Sequence, residues 1–454
     1  MKHLSFFKLA LLCSLCCLVF EQSRAQSNVL QEQAYEDMLQ QADSTHKLLF
    51  IAVHSRAASF SPLPIAISKK TQARLQEQFV CGAVRLNPDE YQHPLQKEYA
   101  FRSPAFLLLD SLGYPLLRQN TPIKSEAELR ALLDSAAHIA QGETMGKLML
   151  AYQKGMRQKV LLRKLLSYHQ SFDRYVDEQL MNDYLAQLRI EELNNFETVA
   201  FLYNSGPVYN SKAYRLIRTN AQLIDSVFAR LSLPKREQLN GRVFRRTFRE
   251  ALNKEQQMIA QELGNVVSRS WGNHFLRARM ANRWHLMEYQ RLHLDSMAYI
   301  VSAKYYYENF YYRVSPDSLA KMDFAYRLGR QPMTMKLDST DLATFQTYML
   351  HGGRKKAHAA HAKNLSYGVQ QVLRFVLPHD DRTLYDAIRW QQRAIELQPG
   401  RAQDHYALAQ LLYRVALYEQ AEAEQERAVR LSKSYKPYQQ EMQEALRKLR
   451  ARTW

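Results

Sequence analysis

At 454 residues the chain is too long for one ordinary hydrophobic core, so several domains are expected. A 46% apolar content is that of a globular protein, and only 14 glycines and 14 prolines argue against a large disordered or all-β chain and favour long helices. The formal charge of +18 reads first as charge spread over solvated helix faces, with anionic partners as the second reading.

Residues 1–25 read as an export signal. Lys2 and Lys8 flank the start of the apolar run Phe6–Phe20, and Ser23-Arg24-Ala25 places small residues third-last and last before a cut. The run is too short to span a membrane as a helix. Lipid attachment at Cys13, Cys16 or Cys17 needs a small residue just before the cysteine, and Leu12, Leu15 and Cys16 stand there. The processed chain keeps Cys81 as its single cysteine, so no intrachain disulfide is expected. Its expected place is the periplasm or the extracellular space.

Leu30, Ala34, Met38 and Ala42 recur near a 3.6 period and predict a helix over 30–45. Lys47–Val53 is an unbroken apolar run of strand length, followed by a polar loop from His54 to Pro64. A helix over 65–78 and a second strand over 79–86 come next, then the turn Asn87-Pro88-Asp89. A helical turn at 95–99, a third strand over 104–110 and a fourth over 114–117 follow, with Leu112-Gly113-Tyr114 as hairpin material. Ser125 caps a helix over 125–133, and Glu126 and Glu128 suit the positive end of its dipole.

This order predicts a mixed sheet flanked by helices. It resembles the thioredoxin fold, in particular the exported bacterial thioredoxin-like proteins. The resemblance rests on the strands Leu48–Val53 and Phe79–Leu86, on Ser103-Pro104 directly before Phe106–Asp110, and on Gly113. It implies a cis-proline at Pro104 facing the loop after the first strand, with an extended peptide pairing beside it. Read without the resemblance, Pro104 is a proline at the first residue of a strand.

That loop is also where the family carries its redox pair. Ala57 or Ala58 stands at the first cysteine position and Phe60 or Ser61 at the second, and the tryptophan that usually precedes them is missing. Thiol exchange needs a thiolate at the start of the loop helix and a resolving thiol, so the loop is a degenerate redox loop. Cys81, in mid-strand, reads as a small buried hydrophobe. Ser59 or Ser61 with His54 as base lacks the strand-turn-helix elbow of a hydrolase, so no catalytic residue is expected.

Residues 141–350 read as an all-α region, broken at Asn204-Ser-Gly-Pro207, Ser232-Leu-Pro234, Gly264-Asn265, Val314-Ser-Pro-Asp317 and Gly329-Arg-Gln-Pro332. The run Tyr305–Tyr312 is expected to be a packing seam between helices, in preference to a platform for stacked bases. Residues 351–364 read as a basic linker. His358 and His361 are three apart, but no third ligand at fixed spacing accompanies them, so no metal is expected.

The last stretch holds a repeat. Ala387, Ala394, Ile395 and Pro399 recur 34 residues later as Ala421, Ala428, Val429 and Lys433. Leu408, Ala409, Leu412 and Tyr418 resemble the tetratricopeptide pattern, in which each helix pair buries a face only when stacked on the next. Two units, 365–398 and 402–432, with a capping helix over 436–450 are expected within a domain spanning 365–454. The resemblance implies a groove lined by Gln403, Tyr406, Gln410 and Tyr413.

The expected architecture is thus a signal (1–25), an α/β thioredoxin-like domain (26–140), the all-α region, the linker and the repeats. The expected role is a redox-inactive scaffold that binds a protein or peptide outside the cytosol through His54, Phe60, Ser103 and Pro104 and through Tyr406, Gln410 and Tyr413. No cofactor and no nucleic acid are expected. The alternatives are an accessory of a thiol–disulfide exchange pathway and a peripheral binder of anionic glycan or membrane.

Overall fold

In a computed structural model the described residues are 30–55, 63, 65–87, 91, 93–99, 105–272, 274–327, 340, 343–344, 347, 355–377, 380–434 and 436–454. The chain divides into two compact units, 1–249 and 250–454. The boundary expected near residue 140 falls inside the first.

The first unit opens with α1 (Tyr35–Thr45), β1 (Leu48–His54), α2 (Lys69–Gln78), β2 (Phe79–Arg85), α3 (Pro94–Glu98), β3 (Ala105–Leu109), β4 (Pro115–Gln119) and α4 (Glu126–Gln141). The sheet order is β2-β1-β3-β4. β1 runs parallel to β2, with Ile51 opposite Gly82, and antiparallel to β3, with Ile51 opposite Leu107. β3 and β4 form an antiparallel hairpin across Leu112 and Gly113, whose φ is +83°. Helices cover both faces, which is why the strands are unbroken apolar runs with no polar alternation. Phe50, Ala52, Phe106 and Leu108 pack with Leu75, Leu129 and Leu133 of α2 and α4. Leu49, Ile51, Val53, Leu107 and Leu109 pack on the opposite face with Met38, Ala42 and Leu95 of α1 and α3.

Two helix starts differ from expectation, each for a local reason. Residues 31–33 are extended: Ala83 N donates to Gln31 O (2.8 Å) and Gln33 N to Ala83 O (3.1 Å), so this stretch pairs with the outer edge of β2. α2 begins at Lys69 because Ser68 caps it, its side chain accepting from Thr71 N. Ser125 caps α4 as expected, accepting from Glu128 N (3.2 Å). Ser68 Oγ and Thr71 Oγ1 both donate to the Glu126 carboxylate, tying the start of α2 to the start of α4. Those two hydrogen bonds hold the Glu126 carboxyl down at about 2.

The unit continues through α5 (Met145–Gln153), α6 (Lys159–Phe172), α7 (Glu178–Ala186), α8 (Ile190–Leu193), α9 (Phe196–Asn204), α10 (Lys212–Arg218), α11 (Ala221–Ala229) and most of α12 (Leu233–Asn253). Their core gathers Leu162, Leu165, Leu166, Tyr184, Leu202 and Val243. Arg174 joins this layer to the sheet. It ion-pairs with Glu98 at 2.8 Å and lies over the rings of Tyr99 and Tyr114, 5.7 and 5.0 Å from their centroids. Arg118 Nη1 donates to Phe172 O at 2.7 Å.

The second unit holds α13 (Gln257–Ser270), α14 (Phe275–Leu292), α15 (Ser296–Tyr307), a π-helical segment (Glu308–Tyr312), α16 (Pro316–Arg327), α17 (Lys356–Phe375), α18 (Asp381–Leu397), α19 (Ala402–Arg414), α20 (Tyr418–Leu431) and α21 (Lys436–Arg450). One contiguous core runs through it, including Tyr299, Tyr307, Leu365, Val369, Trp390, Leu411 and Leu449. The stretch expected to be a linker over 351–364 is helical from Lys356 onward. Ala357, Ala359, Ala360 and Ala362 supply the helix propensity that the neighbouring basic residues obscured. From α17 to α21 each helix packs on the next. Buried polar bonds stitch them together: Gln391 Nε2 donates to Ser366 Oγ (3.2 Å), Ser366 Oγ to Asp404 (2.5 Å) and Gln425 Nε2 to Met442 O (2.8 Å).

Candidate functional site

Of the residues expected to bind at the sheet, His54 is described. It closes β1, is 1% exposed, and its Nε2 lies 3.6 Å from the Glu32 carboxylate. It is therefore an interior side chain and presents no binding surface, because it continues the inward-facing series of a strand covered on both sides. Ala57, Ala58, Phe60, Ser61, Ser103 and Pro104 lie outside the described residues. Cys81 is half-buried at the edge of the α2/α4 core, and burial pushes its thiol up to about 12.

Two of the residues expected to line a groove among the C-terminal helices lie at one cavity. Gln410 and Tyr413 of α19 line a cavity of about 500 Å³ together with Leu373, Arg374 and Trp454. Tyr406 stands behind the indole of Trp454, 5.8 Å between centroids, and Trp454 also meets Tyr413 at 5.6 Å. Trp454 thus occupies part of the surface assigned to a ligand.

A better-formed site lies elsewhere in the second unit, where α13, α14, the π segment, α16 and α17 enclose an apolar cleft of about 440 Å³. That is the size and character of a pocket for a small ligand or one or two large side chains. α13 and α14 approach closely because Gly264 has no side chain: a Cβ there would stand 2.7 Å from Asn282 O. Trp271, just past α13, and Met280 and Trp284 of α14 form one wall; Met322 and Tyr326 of α16 form another. Trp284 and Tyr326 are 40% and 45% exposed, so the cleft opens to solvent past two aromatic rings.

The π segment supplies the floor. Arg313 N donates to Glu308 O at 3.1 Å, a bond across five residues, so one extra residue is fitted into the turn. As a result Tyr306, Phe310 and Tyr311 all reach the cleft, with ring centroids 5.2 to 5.8 Å from that of Tyr306. Tyr307 turns the other way, onto Trp390 (5.6 Å) and against Gly368 of α17, where any Cβ would collide with its ring. Burial raises the phenol of Tyr306 and that of Tyr311, so both stay neutral.

Two histidines line the same space. His285 Nδ1 lies 2.7 Å from Ala281 O and His361 Nδ1 2.9 Å from Ala357 O. A carbonyl neighbour requires Nδ1–H, which leaves Nε2 of each ring as the unprotonated acceptor. Burial lowers both pKa values, so both rings are neutral at neutral pH. His358 is held apart from His361: its Nδ1 lies 2.5 Å from Asp323 Oδ2, while Asp323 Oδ1 accepts from Ala357 N. Asp323 thereby fixes the start of α17 against α16. Among the described residues no group of three or more His, Cys, Asp or Glu is placed to hold a metal.

An aromatic floor, a methionine-lined wall and two neutral imidazoles can hold an apolar or aromatic group and accept a hydrogen bond from it. Arg277 stands at this cleft with its guanidinium 5.1 Å over the Trp271 ring. The run Tyr305–Tyr312 does pack between helices, but reading it as a seam missed that it turns three rings toward the cleft. Trp271, Met280, Trp284, Met322 and Tyr326 carried no separate signal in the sequence. Their common destination depends on three helix crossings. The chain matches no protein-family model and no curated protein sequence.

Proposed function

We propose that this is a non-catalytic, thioredoxin-like binding protein acting outside the cytosol, which holds a partner polypeptide by an apolar or aromatic side chain seated in the cleft of its helical unit. The cleft is the observation that carries this reading: it joins a volume of about 440 Å³ to walls that include Trp271, Trp284, Tyr306, Phe310, Tyr311 and Tyr326. Flanking acidic residues on the partner suit the arginines of α14. Besides Arg277, Arg279 donates to Tyr305 Oη (2.8 Å) and Arg283 lies over the Tyr305 ring (5.0 Å). The thioredoxin-like part of the proposal is supported by the order β2-β1-β3-β4, with β3 the strand that runs opposite to the rest. The tetratricopeptide-like part is supported by consecutive helix pairs over the 34-residue repeat.

Two of the four tryptophans line the cleft, so intrinsic fluorescence reads its occupancy. Titrating the full chain with a short acidic peptide carrying one central phenylalanine is expected to give a saturable change. The same peptide with alanine at that position is expected to bind about tenfold more weakly, the cost of losing a buried side chain of that size. Ala360→Phe, at an exposed position lining the cleft, is expected to abolish the response at unchanged melting temperature. Equal binding by this variant and the unsubstituted protein would place recognition elsewhere.

A further inference from the structure

The first unit contains a small cavity of about 20 Å³ whose lining is dominated by arginines. Arg242, Arg245, Arg246 and Arg249 of α12 meet there with Arg174, and Asp173 is the one carboxylate among the lining residues. Arg174 is already matched by Glu98. Arg242 and Arg246 are oriented by the C-terminal end of α9: Arg242 Nη1 donates to Asn204 O (2.5 Å), and Arg246 Nη1 donates to Gly206 O (2.8 Å) and Ser205 O (2.5 Å). The partial negative charge of a helix terminus offsets about half a unit of positive charge. Arg246 also lies over the ring of Tyr175, 5.8 Å from its centroid. Even so, among the described lining residues four guanidiniums of α12 meet one carboxylate, that of Asp173.

The arrangement is costly without a counter-charge. Arg246 is 7% exposed, and burial together with Arg249 and Arg242 holds it down at about 9. Arg242 and Arg249 are lowered as well, chiefly by burial. Arg242 Nε is buried with no hydrogen-bond partner among the described residues. Neutral His169, its pKa pushed well down by burial and then by Arg174 and Arg246, adds no charge of its own. Gly206, at φ +65°, has no side chain where a Cβ would stand 2.7 Å from Arg242 Cγ, which lets the aliphatic stem of Arg242 pass close to the turn.

We propose that this cavity is an oxyanion site, taking a phosphate group between Arg242, Arg245, Arg246 and Arg249. The enclosed volume is room for one oxygen-sized atom, so one oxygen enters between Arg242 and Arg246. The remaining oxygens stay at the mouth with Arg249, half-buried, and Arg245, exposed. Planar guanidiniums offer paired donors to such a group, which lysines would not. Unlike the aromatic cleft, this site selects by charge.

The test is a thermal-shift and calorimetric titration of the full chain with inorganic phosphate, against chloride at matched ionic strength. Phosphate is expected to raise the melting temperature saturably where chloride does not. Arg245→Gln with Arg249→Gln, at the exposed and half-buried positions of the mouth, is expected to weaken phosphate binding at least tenfold. Arg246→Met, deeper in the fold, serves as a second variant, expected to lose the phosphate response. A tighter midpoint for phosphoserine than for inorganic phosphate assigns a phosphate group carried on a larger molecule; equal or weaker binding assigns the free anion. Identical shifts from phosphate and chloride, or an undiminished phosphate response in Arg245→Gln/Arg249→Gln, would overturn the site.

Discussion

His405 shows how much a single ring can be asked to do. It is 6% exposed in α19, its Nδ1 lies 2.6 Å from the Glu424 carboxylate of α20 and its Nε2 3.2 Å from Pro399 O. Both neighbours are acceptors, so the ring meets both only as imidazolium. The Glu424 hydrogen bond accordingly raises its pKa above the usual 6.5. A raised folded value means that the stabilisation is complete below the unfolded pKa of about 6.5 and is lost as pH rises through the folded one. Proton NMR is expected to show His405 titrating above the unfolded value, and Glu424→Gln to bring it down. A His405 midpoint unmoved by that substitution would mean that the ion pair does not hold the helices together. His285 and His361 act in the opposite sense, since burial lowers them and their contribution is lost as pH falls. At this scale the sequence was a poor guide. His358 and His361 looked like one pair, yet one belongs to Asp323 and the other to the cleft, a division made by α16, more than thirty residues earlier in the chain.

Among the elements, the strands were the most legible, because a sheet covered on both faces writes itself as runs such as Leu48–Val53 and Phe106–Leu109. Helix starts were less so. A periodic pattern marks the buried face of a helix but not where a competing backbone bond, such as Gln33 N to Ala83 O, takes its first turn away. The π segment was invisible for a related reason: one extra residue leaves composition unchanged and alters only phase. Deleting Asn309, whose side chain points back to Tyr305 O (2.7 Å) and not into the cleft, is expected to restore α-helical bonding and rotate Phe310 and Tyr311 relative to Tyr306. The measurable outcome is loss of the peptide-induced fluorescence change with helical content retained by circular dichroism. A deletion variant that binds normally would show that the cleft does not depend on the π turn.

For the whole molecule, composition foretold several cores and many helices but not their partition. The α/β layer and the helices after it share the unit ending at Arg249, through contacts such as Arg174 on Glu98 that join positions 76 residues apart. The proposed scaffold needs no thiol exchange, and the proposed removal of residues 1–25 would leave a chain with one cysteine. Cys81 is its remaining thiol, and burial pushes that thiol up to about 12, so almost none of it is thiolate at neutral pH. Insulin reduction with dithiothreitol as the electron source is expected to run no faster with the protein than without it, and Cys81→Ser is expected to change nothing. Turnover above background would revive a role in thiol exchange.

The extended residues 31–33 have a consequence for solubility. A free outer strand is a template onto which another chain can zip, the first step toward fibrils. By donating and accepting along Ala83, this leading stretch closes the outer flank of β2. On the opposite flank β4 begins with Pro115, which has no N–H to offer. A nick that freed residues 30–34 would withdraw Leu30 from the core and bare the edge of β2, and is expected to make the protein prone to aggregate.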